Sequence, residues 1–181
     1  MDQPNQLSKL SVALHWLLAI AMIGMLVFGL ILEEMPNTEE SYPLIALHKS
    51  IGVTIFVFAL WRIINRIRNG LPSTLGHPPS WQRKVAHVVL IILISGTVLM
   101  PISGMLWSSG AGFGFAAWGI DIVPYSGVAT PWMENLGHII HGLFGKLLIL
   151  VIALHLLASI KHHFIDKDGT LLRMLGKNIE K

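Results

Sequence analysis

Four long apolar stretches, separated by short polar segments, dominate the pattern of this 181-residue chain. The first carries no charge from residue 10 to residue 32, and the others cover about residues 44–65, 84–108 and 136–162. A helix needs about 20 apolar residues to cross a bilayer, so each stretch is long enough for one crossing. We therefore predict a single domain over residues 1–181, an all-α integral membrane bundle of four helices that run up-down-up-down. The third helix should end near residue 108, because the segment that follows is rich in glycine and aromatic residues.

The basic residues lie almost entirely on one side of the predicted membrane. The chain has 13 Lys and Arg residues, and all except Lys49 and Lys146 fall in or beside the N-terminus, the second loop and the C-terminal tail. Cytoplasmic loops carry such an excess, so both termini are predicted to be cytoplasmic. Arg62, near the inner end of the second helix, is expected to extend to the interface. The net charge of +3 then reflects topology and anionic membrane lipid, and it predicts no nucleic-acid partner.

Composition agrees with a membrane protein and narrows the chemistry. Hydrophobic residues make up 53% of the chain and charged residues only 13%, against about 25% charged residues in soluble domains. The chain has no cysteine. This excludes disulfides, thiolate metal sites, iron–sulfur clusters and covalently attached haem, so any haem must be held without a covalent link to the chain.

Four histidines inside the apolar stretches form two pairs by depth. His15 and His155 lie near the inner ends of the first and fourth helices, whereas His48 and His141 lie near the outer ends of the second and fourth. His141 and His155 are 14 positions apart, a rise of about 21 Å along nearly the same helix face. Two imidazoles that approach a flat macrocycle from opposite sides are what bis-histidine ligation of haem iron requires. We therefore predict two haem b groups, an inner one on His15 and His155 and an outer one on His48 and His141.

Several neighbouring residues leave alternatives open at these sites. His138 lies one turn before His141 and competes with it as the outer ligand, or tunes that site from beside it. Gly52 and Gly145 each follow a predicted ligand by four positions and would leave room for a porphyrin, although glycine is also common in membrane helices for packing alone. Lys49 is expected either to offset propionate charge near the outer haem or to extend to the interface.

The segments around these histidines resemble the bacterial cytochrome b561 family, the four-helix di-haem b-type membrane cytochromes. The resemblance is carried by SVALHWLL in the first helix, LHKSIG in the second, LMPISG in the third and IALHLLASIKHHFIDKDGTLLRML at the end, and it spans Leu10 to Leu175. It implies axial ligands at His15, His48, His141 and His155. It also implies a multi-pass location in the bacterial inner membrane.

The resemblance further implies a chemistry. Members of the family carry electrons between a membrane quinone, such as ubiquinone, and a second reactant, and at least one member oxidises superoxide at the outer surface. Superoxide or a redox protein is therefore expected as a partner, although the outer loops here are net acidic apart from Lys49 and Lys146, which disfavours an anionic substrate. The quinone site is expected beside the inner haem, with Ser11, His87 and His162 as candidate donors.

Two other functions fit parts of the pattern. The chain could be the cytochrome b anchor subunit of a partner oxidoreductase, and the sequence also permits a homodimer. A histidine-dependent metal or proton transporter is the second alternative, but no intramembrane Asp or Glu accompanies the histidines. No phosphate-binding loop or nucleophile arrangement in the sequence indicates a soluble active site.

Overall fold

Four long helices form the body of the computed structural model, which describes residues 2–3, 5–36, 38–76 and 78–179. They are α1 (Lys9–Glu34), α2 (Tyr42–Asn69), α3 (Ser80–Gly110) and α4 (Pro131–Lys161), and each is long and apolar enough to cross a membrane. Large apolar side chains such as Ile20, Val57 and Leu150 are exposed on the outside of the bundle, where lipid would cover them. The predicted four-helix membrane bundle is confirmed.

A short β-hairpin between α3 and α4 was not predicted by the hydrophobic pattern. Strands β1 (Phe115–Ala117) and β2 (Ile120–Val123) pair antiparallel. The two turn residues, Trp118 and Gly119, have φ angles of 53° and 83°, the positive values that a two-residue hairpin turn requires. The Trp118 backbone N–H donates to Ser50 Oγ at 3.1 Å and its indole N–H donates to Thr54 Oγ1 at 3.0 Å. The hairpin therefore lies against α2 at the outer end of the bundle.

The described N-terminal and C-terminal segments meet at one end of the bundle. Helix α4 ends in a π-helical turn (His162–Asp166), which is followed by the short helix α5 (Thr170–Met174). The Trp16 indole N–H donates to the Met174 carbonyl at 2.8 Å, and the Ile179 N–H donates to the Asn5 carbonyl at 3.1 Å. By the distribution of basic residues, this common end is the cytoplasmic one.

Helix α4 begins earlier than predicted, at Pro131 rather than near residue 136. The predicted helix began after Glu134, because a charged residue marks the edge of the hydrocarbon layer. A helix can nevertheless extend past that edge when it has a packing partner. That partner is α3, since a Cβ placed on Gly110 would lie 2.7 Å from the Glu134 Cα.

Helices α3 and α4 approach each other closely through small residues. A Cβ on Gly137 would lie 2.7 Å from the Trp107 Cα, and a Cβ on Gly96 would lie 2.9 Å from Leu148 Cδ1. Lipid tails are as apolar as leucine, so membrane helices associate by such close packing rather than by the hydrophobic effect. The contact fixes the position of α4, the helix that carries both His141 and His155.

The buried core lies between the two histidine levels. Leu148 is 1% exposed and stands seven positions from His141 and seven from His155, which is halfway along the helix between them. Around it pack Leu18, Met22, Ile55 and Ala59. An apolar layer of this kind excludes water and therefore separates the inner pair of histidines from the outer pair.

A polar cluster joins the N-terminal segment to α1 and α2 at the cytoplasmic end. Ser11 Oγ donates to Asp2 Oδ1 at 2.7 Å and accepts from Asn65 Nδ2 at 2.8 Å, while Arg66 forms an ion pair with Asp2 at 2.6 Å. Burial by itself raises the pKa of Asp2, but the hydrogen bonds from Ser8, Ser11 and Arg66 outweigh it and lower that pKa to about 2.

This lowered pKa predicts a loss of stability in acid. The ordinary pKa of Asp2 is 3.8, so the charged form stabilises the fold above about pH 4, and this contribution disappears as the pH falls to about 2. At neutral pH, Asp2→Asn should lower the free energy of unfolding by on the order of 1 kcal/mol, once screening by solvent is allowed for. The thermal midpoints of wild type and variant in detergent should converge as the pH falls through this window. A difference that stays constant would contradict the prediction.

Candidate functional site: two histidine pairs

Two pairs of histidines face each other at two levels of the bundle. At the inner level, the ring centroids of His15 on α1 and His155 on α4 are 6.4 Å apart, with an interplanar angle of 66°. At the outer level, the centroids of His48 on α2 and His141 on α4 are 6.2 Å apart, with an angle of 74°. The structure thus brings together the same residues that were paired by depth in the sequence.

The spacing within each pair matches two imidazoles on opposite sides of one metal ion. With about 2.0–2.1 Å from metal to nitrogen and about 1.2 Å from nitrogen to ring centre, the two centroids would lie about 6.4–6.6 Å apart. A direct hydrogen bond of about 2.9 Å between the rings would instead bring the centroids to about 5.3 Å. The observed separations of 6.4 and 6.2 Å fit the first arrangement.

The outer pair has the hydrogen-bond pattern of a ligand-holding site. His141 Nδ1–H donates to the Met100 carbonyl at 3.0 Å and lies 3.1 Å from Ser103 Oγ. Metal-binding histidines are commonly held in this way through the nitrogen that does not bind the metal, so Nε2 of His141 is available. Nδ1 of His48 is buried without a hydrogen-bond partner in the part of the chain that the structure describes. A buried polar atom of this kind is costly unless a bound group satisfies it.

Two glycines that the sequence analysis did not single out lie against the outer rings. A Cβ on Gly104 of α3 would lie 3.1 Å from His141 Cε1, and a Cβ on Gly29 of α1 would lie 3.6 Å from His48 Cε1. Gly104 belongs to the LMPISG segment, but only the contact between α3 and α4 shows that it faces a histidine. A side chain at Gly104 would force the His141 ring to shift by a few tenths of an ångström.

The two glycines that the sequence did select have different surroundings. A Cβ on Gly52 would meet nothing within 4 Å, so this position is open. Gly145 is buried, and a Cβ there would lie 3.3 Å from Met100 Cε. Gly52 therefore leaves space beside its helix, whereas Gly145 contributes to the packing of α4 on α3.

His138, the competitor of His141, faces a different neighbour. Its ring is exposed and lies 4.5 Å from the Trp107 ring, centroid to centroid. His141 is the residue that faces His48. The geometry therefore favours His141 as the outer partner and places His138 beside the site.

Arg62 is a neighbour of the inner pair that the sequence analysis missed. It was expected to extend to the interface, but its guanidinium instead donates to His15 Nδ1 at 3.1 Å and to the Leu14 carbonyl at 3.4 Å. Among the described residues, no carboxylate forms an ion pair with it. A cation inside a membrane span is costly, so its position beside His15 calls for an anionic partner. The feature of the sequence that could have indicated this role is the position of Arg62 inside the second apolar stretch.

The two outer lysines differ in how their charges are offset. Lys49 is half-buried and donates to Ser108 Oγ at 2.7 Å, while Ser108 donates to the Gly114 carbonyl. The Lys146 side chain is 65% exposed and pairs with Glu33 at 3.4 Å. Within the described residues, Lys49 is therefore the outer cation that no paired carboxylate offsets.

The three predicted quinone donors do not form one cluster among the described residues. The Ser11 hydroxyl is already bonded to Asp2, and His87 is exposed on α3. His162 Nδ1–H donates to Asp168 Oδ2 at 2.5 Å. His162 follows His155 by seven positions, so it lies on the same face about 10 Å further along the helix. It is the candidate that the helix geometry connects to the inner pair.

Comparison with known proteins points to one family along the whole chain. A family model of prokaryotic cytochrome b561 matches residues 6–177. The chain is 30% identical over 180 residues to cytochrome b561 homolog 1 of Escherichia coli K12, covering 96% of this chain and 98% of that protein. It is 31% identical over 184 residues to homolog 2 of the same organism, covering 98% and 95%. It is also 28% identical over 172 residues to a probable superoxide oxidase of Yersinia pestis, covering 94% and 96%.

The family and the geometry agree on the kind of cofactor. Cytochromes b561 bind b-type haem, and two imidazoles at this spacing fit a haem iron between them. Four apolar helices place the site within the bilayer. The chain belongs to the prokaryotic cytochrome b561 family, as a multi-pass protein of the bacterial inner membrane that binds b-type haem and carries electrons.

Proposed function

We propose that this chain is a di-haem cytochrome that carries electrons across the membrane between a reactant at the outer face and a quinone near the cytoplasmic face. The observation that carries the proposal is the presence of two histidine pairs, at 6.4 and 6.2 Å, on two levels of α4. His15 and His155 would hold the inner haem, and His48 and His141 the outer one. Bound haem supplies one-electron chemistry at each level.

The chain's own residues orient the sites and keep them apart. Met100 and Ser103 fix the His141 ring from α3. The buried Leu148 layer keeps water out of the space between the two levels. Electrons can then pass between the two haem levels, while protons have no water path through the same layer.

In this proposal, the Arg62 guanidinium would pair with the propionate carboxylates of the inner haem and offset their negative charge. In the structure it donates to His15 Nδ1, which places the proton of a neutral ring on Nε2. Iron binding through Nε2 therefore requires the guanidinium to leave Nδ1 for another acceptor. A carboxylate of the cofactor provides one, because arginine binds carboxylates through two parallel hydrogen bonds.

Arg62→Gln should accordingly lower the midpoint potential of the inner haem, because a nearby positive charge favours the added electron. A shift on the order of 60 mV corresponds to a tenfold change in a one-electron equilibrium, and the outer potential should not move. A redox titration followed in the visible spectrum measures both. Arg68→Gln, at an exposed position of the same helix, is the control and should leave both potentials in place. An unchanged inner potential in Arg62→Gln would contradict this role.

Superoxide is the electron donor that the outer surface supports best. Although the outer loops are net acidic, Lys49 follows His48 directly in the chain and has no paired carboxylate among the described residues, and a local cation attracts an anion. The similarity to a probable superoxide oxidase supports the same donor. Each superoxide gives up one electron and leaves as O₂. Two such electrons, together with two protons, convert a quinone to a quinol.

Rapid mixing of the oxidised protein with superoxide tests this donor. Lys49→Gln should slow haem reduction several-fold and weaken its dependence on ionic strength, because the attracting charge is gone. Lys146→Gln removes a charge that Glu33 already offsets, so its rate should stay near that of wild type. If quinol reduces the wild-type haems and superoxide does not, the donor is wrong, and a quinol-fed relay is the correct function.

A further inference from the structure

We propose that the hairpin between α3 and α4 is a membrane anchor, whose turn enters the outer leaflet of the bilayer and whose partner is the phospholipid there. The acyl chains surround Trp118 and Ile120, and the headgroups meet strand β2. The proposed electron transfer makes no use of this surface, so the inference goes beyond that function.

The outer edge of the hydrocarbon layer can be placed relative to the histidines. The charge-free stretch of α1 ends at Leu32, directly before Glu33. A Cβ on Gly29 of the same helix would lie 3.6 Å from His48 Cε1, so Gly29 and His48 are at one level. Gly29 precedes Leu32 by three positions, which places the outer histidine pair about 4–5 Å inside the edge.

The contacts of Trp118 place the turn deeper than the outer histidine pair. Its backbone N–H donates to Ser50 Oγ and its indole N–H donates to Thr54 Oγ1. These two residues follow His48 by two and six positions on a helix that runs inward, so they lie about 3 and 9 Å below it. The turn is therefore about 7 Å inside the hydrocarbon edge, and the indole reaches further inward.

The chain descends from the end of α3 to reach this depth. Gly104 lies against the His141 ring, and α3 continues for six more residues to Gly110, which is about 9 Å further outward. The chain then runs inward through β1 to Trp118 and outward again through β2 to α4. The hairpin thus begins and ends outside the hydrocarbon layer and enters it at the turn.

The sequence of the turn is suited to lipid rather than to water. The indole N–H of Trp118 is the only polar side-chain group from Phe113 to Ile120. Two-residue turns favour Asn, Asp or Gly where φ is positive, yet Trp118 occupies such a position with a φ of 53°. Tryptophan is enriched at membrane interfaces, because its ring is apolar and its N–H is polar. Both N–H groups of Trp118 have acceptors on α2, as a lipid environment requires.

Strand β2 carries the surface that meets the headgroups. Its residues are all exposed, and within the described chain β1 is its only strand partner. From Ile120 to Val123 a strand rises about 10 Å, which brings the free backbone groups of β2 to the headgroup layer, where they can be hydrogen-bonded. Asp121 is the only charged residue between positions 111 and 130. A carboxylate without a cation in this segment favours the ammonium groups of zwitterionic phospholipids over anionic lipid.

The inserted turn also holds the loop beside the outer histidine pair. Ser108 donates to the Gly114 carbonyl, at the start of the hairpin, and accepts from Lys49 Nζ at 2.7 Å. Lys49 directly follows His48 in the chain. A hairpin held by lipid therefore keeps the hydrogen-bond acceptor of Lys49 in place.

Single cysteines at two heights test the insertion. The chain has no cysteine, so each substitution creates one reactive thiol. Ile120→Cys places it at the turn. Val128→Cys places it in the loop above, where a Cβ on Gly112 would lie 2.9 Å from the Val128 nitrogen. Ile120 and Val128 are 71% and 70% exposed on the protein alone, so they differ in height and not in shielding by the protein.

The haem-loaded variants are placed in vesicles of phosphatidylcholine and phosphatidylethanolamine, with a charged maleimide on both sides of the bilayer. The maleimide should modify Val128→Cys several-fold faster than Ile120→Cys, because a charged reagent stays in water. In sodium dodecyl sulfate, which removes the bilayer and unfolds the hairpin, the two rates should become equal. Equal rates in the vesicles would overturn the proposal.

Photolabelling of the wild-type protein distinguishes lipid from a protein partner and needs no substitution. A phospholipid with a diazirine on its acyl chain forms a carbene on illumination and reacts with the groups that it touches. Mass spectrometry should find the label at Trp118 or Ile120 and at Val57, an exposed residue of α2, but not at Val128. Label at Val57 without label at the turn would overturn the proposal, because water or another protein would then cover the hairpin. This measurement also decides the question if Ile120→Cys does not retain haem.

Discussion

Replacing His155 with alanine is expected to reduce the haem content from two per chain to one. His155 faces His15 at 6.4 Å between ring centroids, and His141 lies on the same helix at the other level. Removing His155 would leave the inner iron with one protein ligand, whereas the outer pair, in which Met100 and Ser103 hold the His141 ring, is separated from the change by the Leu148 layer. The pyridine haemochrome spectrum, divided by protein concentration, gives the count.

The control for this result lies on the same helix. His138→Ala also removes an imidazole from α4, but its ring is exposed and packs on Trp107. We expect it to keep two haems per chain. A drop to one haem in His138→Ala would mean that His138 is the outer ligand. Two haems retained in His155→Ala would contradict the inner pair.

Gly137→Ala is expected to disrupt the outer site without touching a histidine. A Cβ at this position would overlap the Trp107 backbone nitrogen and lie 2.8 Å from the Ser103 carbonyl oxygen. Backbone atoms cannot move aside as a flexible side chain can, so α3 and α4 must separate, at a cost on the order of 3 kcal/mol, the upper end of what overpacking usually costs. Since α3 holds the His141 ring through Met100 and Ser103, the variant should lose the outer haem and melt at a lower temperature.

Gly142→Ala provides a matched comparison. It is the same substitution on the same helix, next to His141, but a Cβ there meets nothing within 4 Å. This variant should keep wild-type haem content and thermal midpoint. Similar losses in both variants would show that the effect comes from the helix itself and not from its contact with α3.

The hydrophobic pattern was sufficient for the four spans, because lipid selects long uninterrupted apolar stretches. The same pattern predicted the depth of each histidine in the membrane, since depth follows from position along a straight helix. His15 and His155 could therefore be paired before their distance was known, as could His48 and His141. The start of α4 was less predictable, because packing against Gly110 extends the helix beyond the bilayer edge.

The missed features depend on contacts between segments that are distant in the chain. Arg62 was assigned to the interface, but the packing of α2 on α1 places its guanidinium at His15. Trp118 adopts a positive φ that a bulky residue rarely shows, and its hydrogen bonds to Ser50 and Thr54 become visible only when the hairpin lies on α2. The roles of Gly104 and Gly137 likewise follow from which face of each helix meets the other.

The central claim is that one chain binds two haems, each between two histidines. The reduced-minus-oxidised spectrum of the purified wild-type protein, with haem counted per chain, tests it most directly. The account predicts two low-spin b-type haems per chain with distinct midpoint potentials. A single haem per chain, or a spectrum of high-spin haem that lacks a second axial histidine, would contradict it.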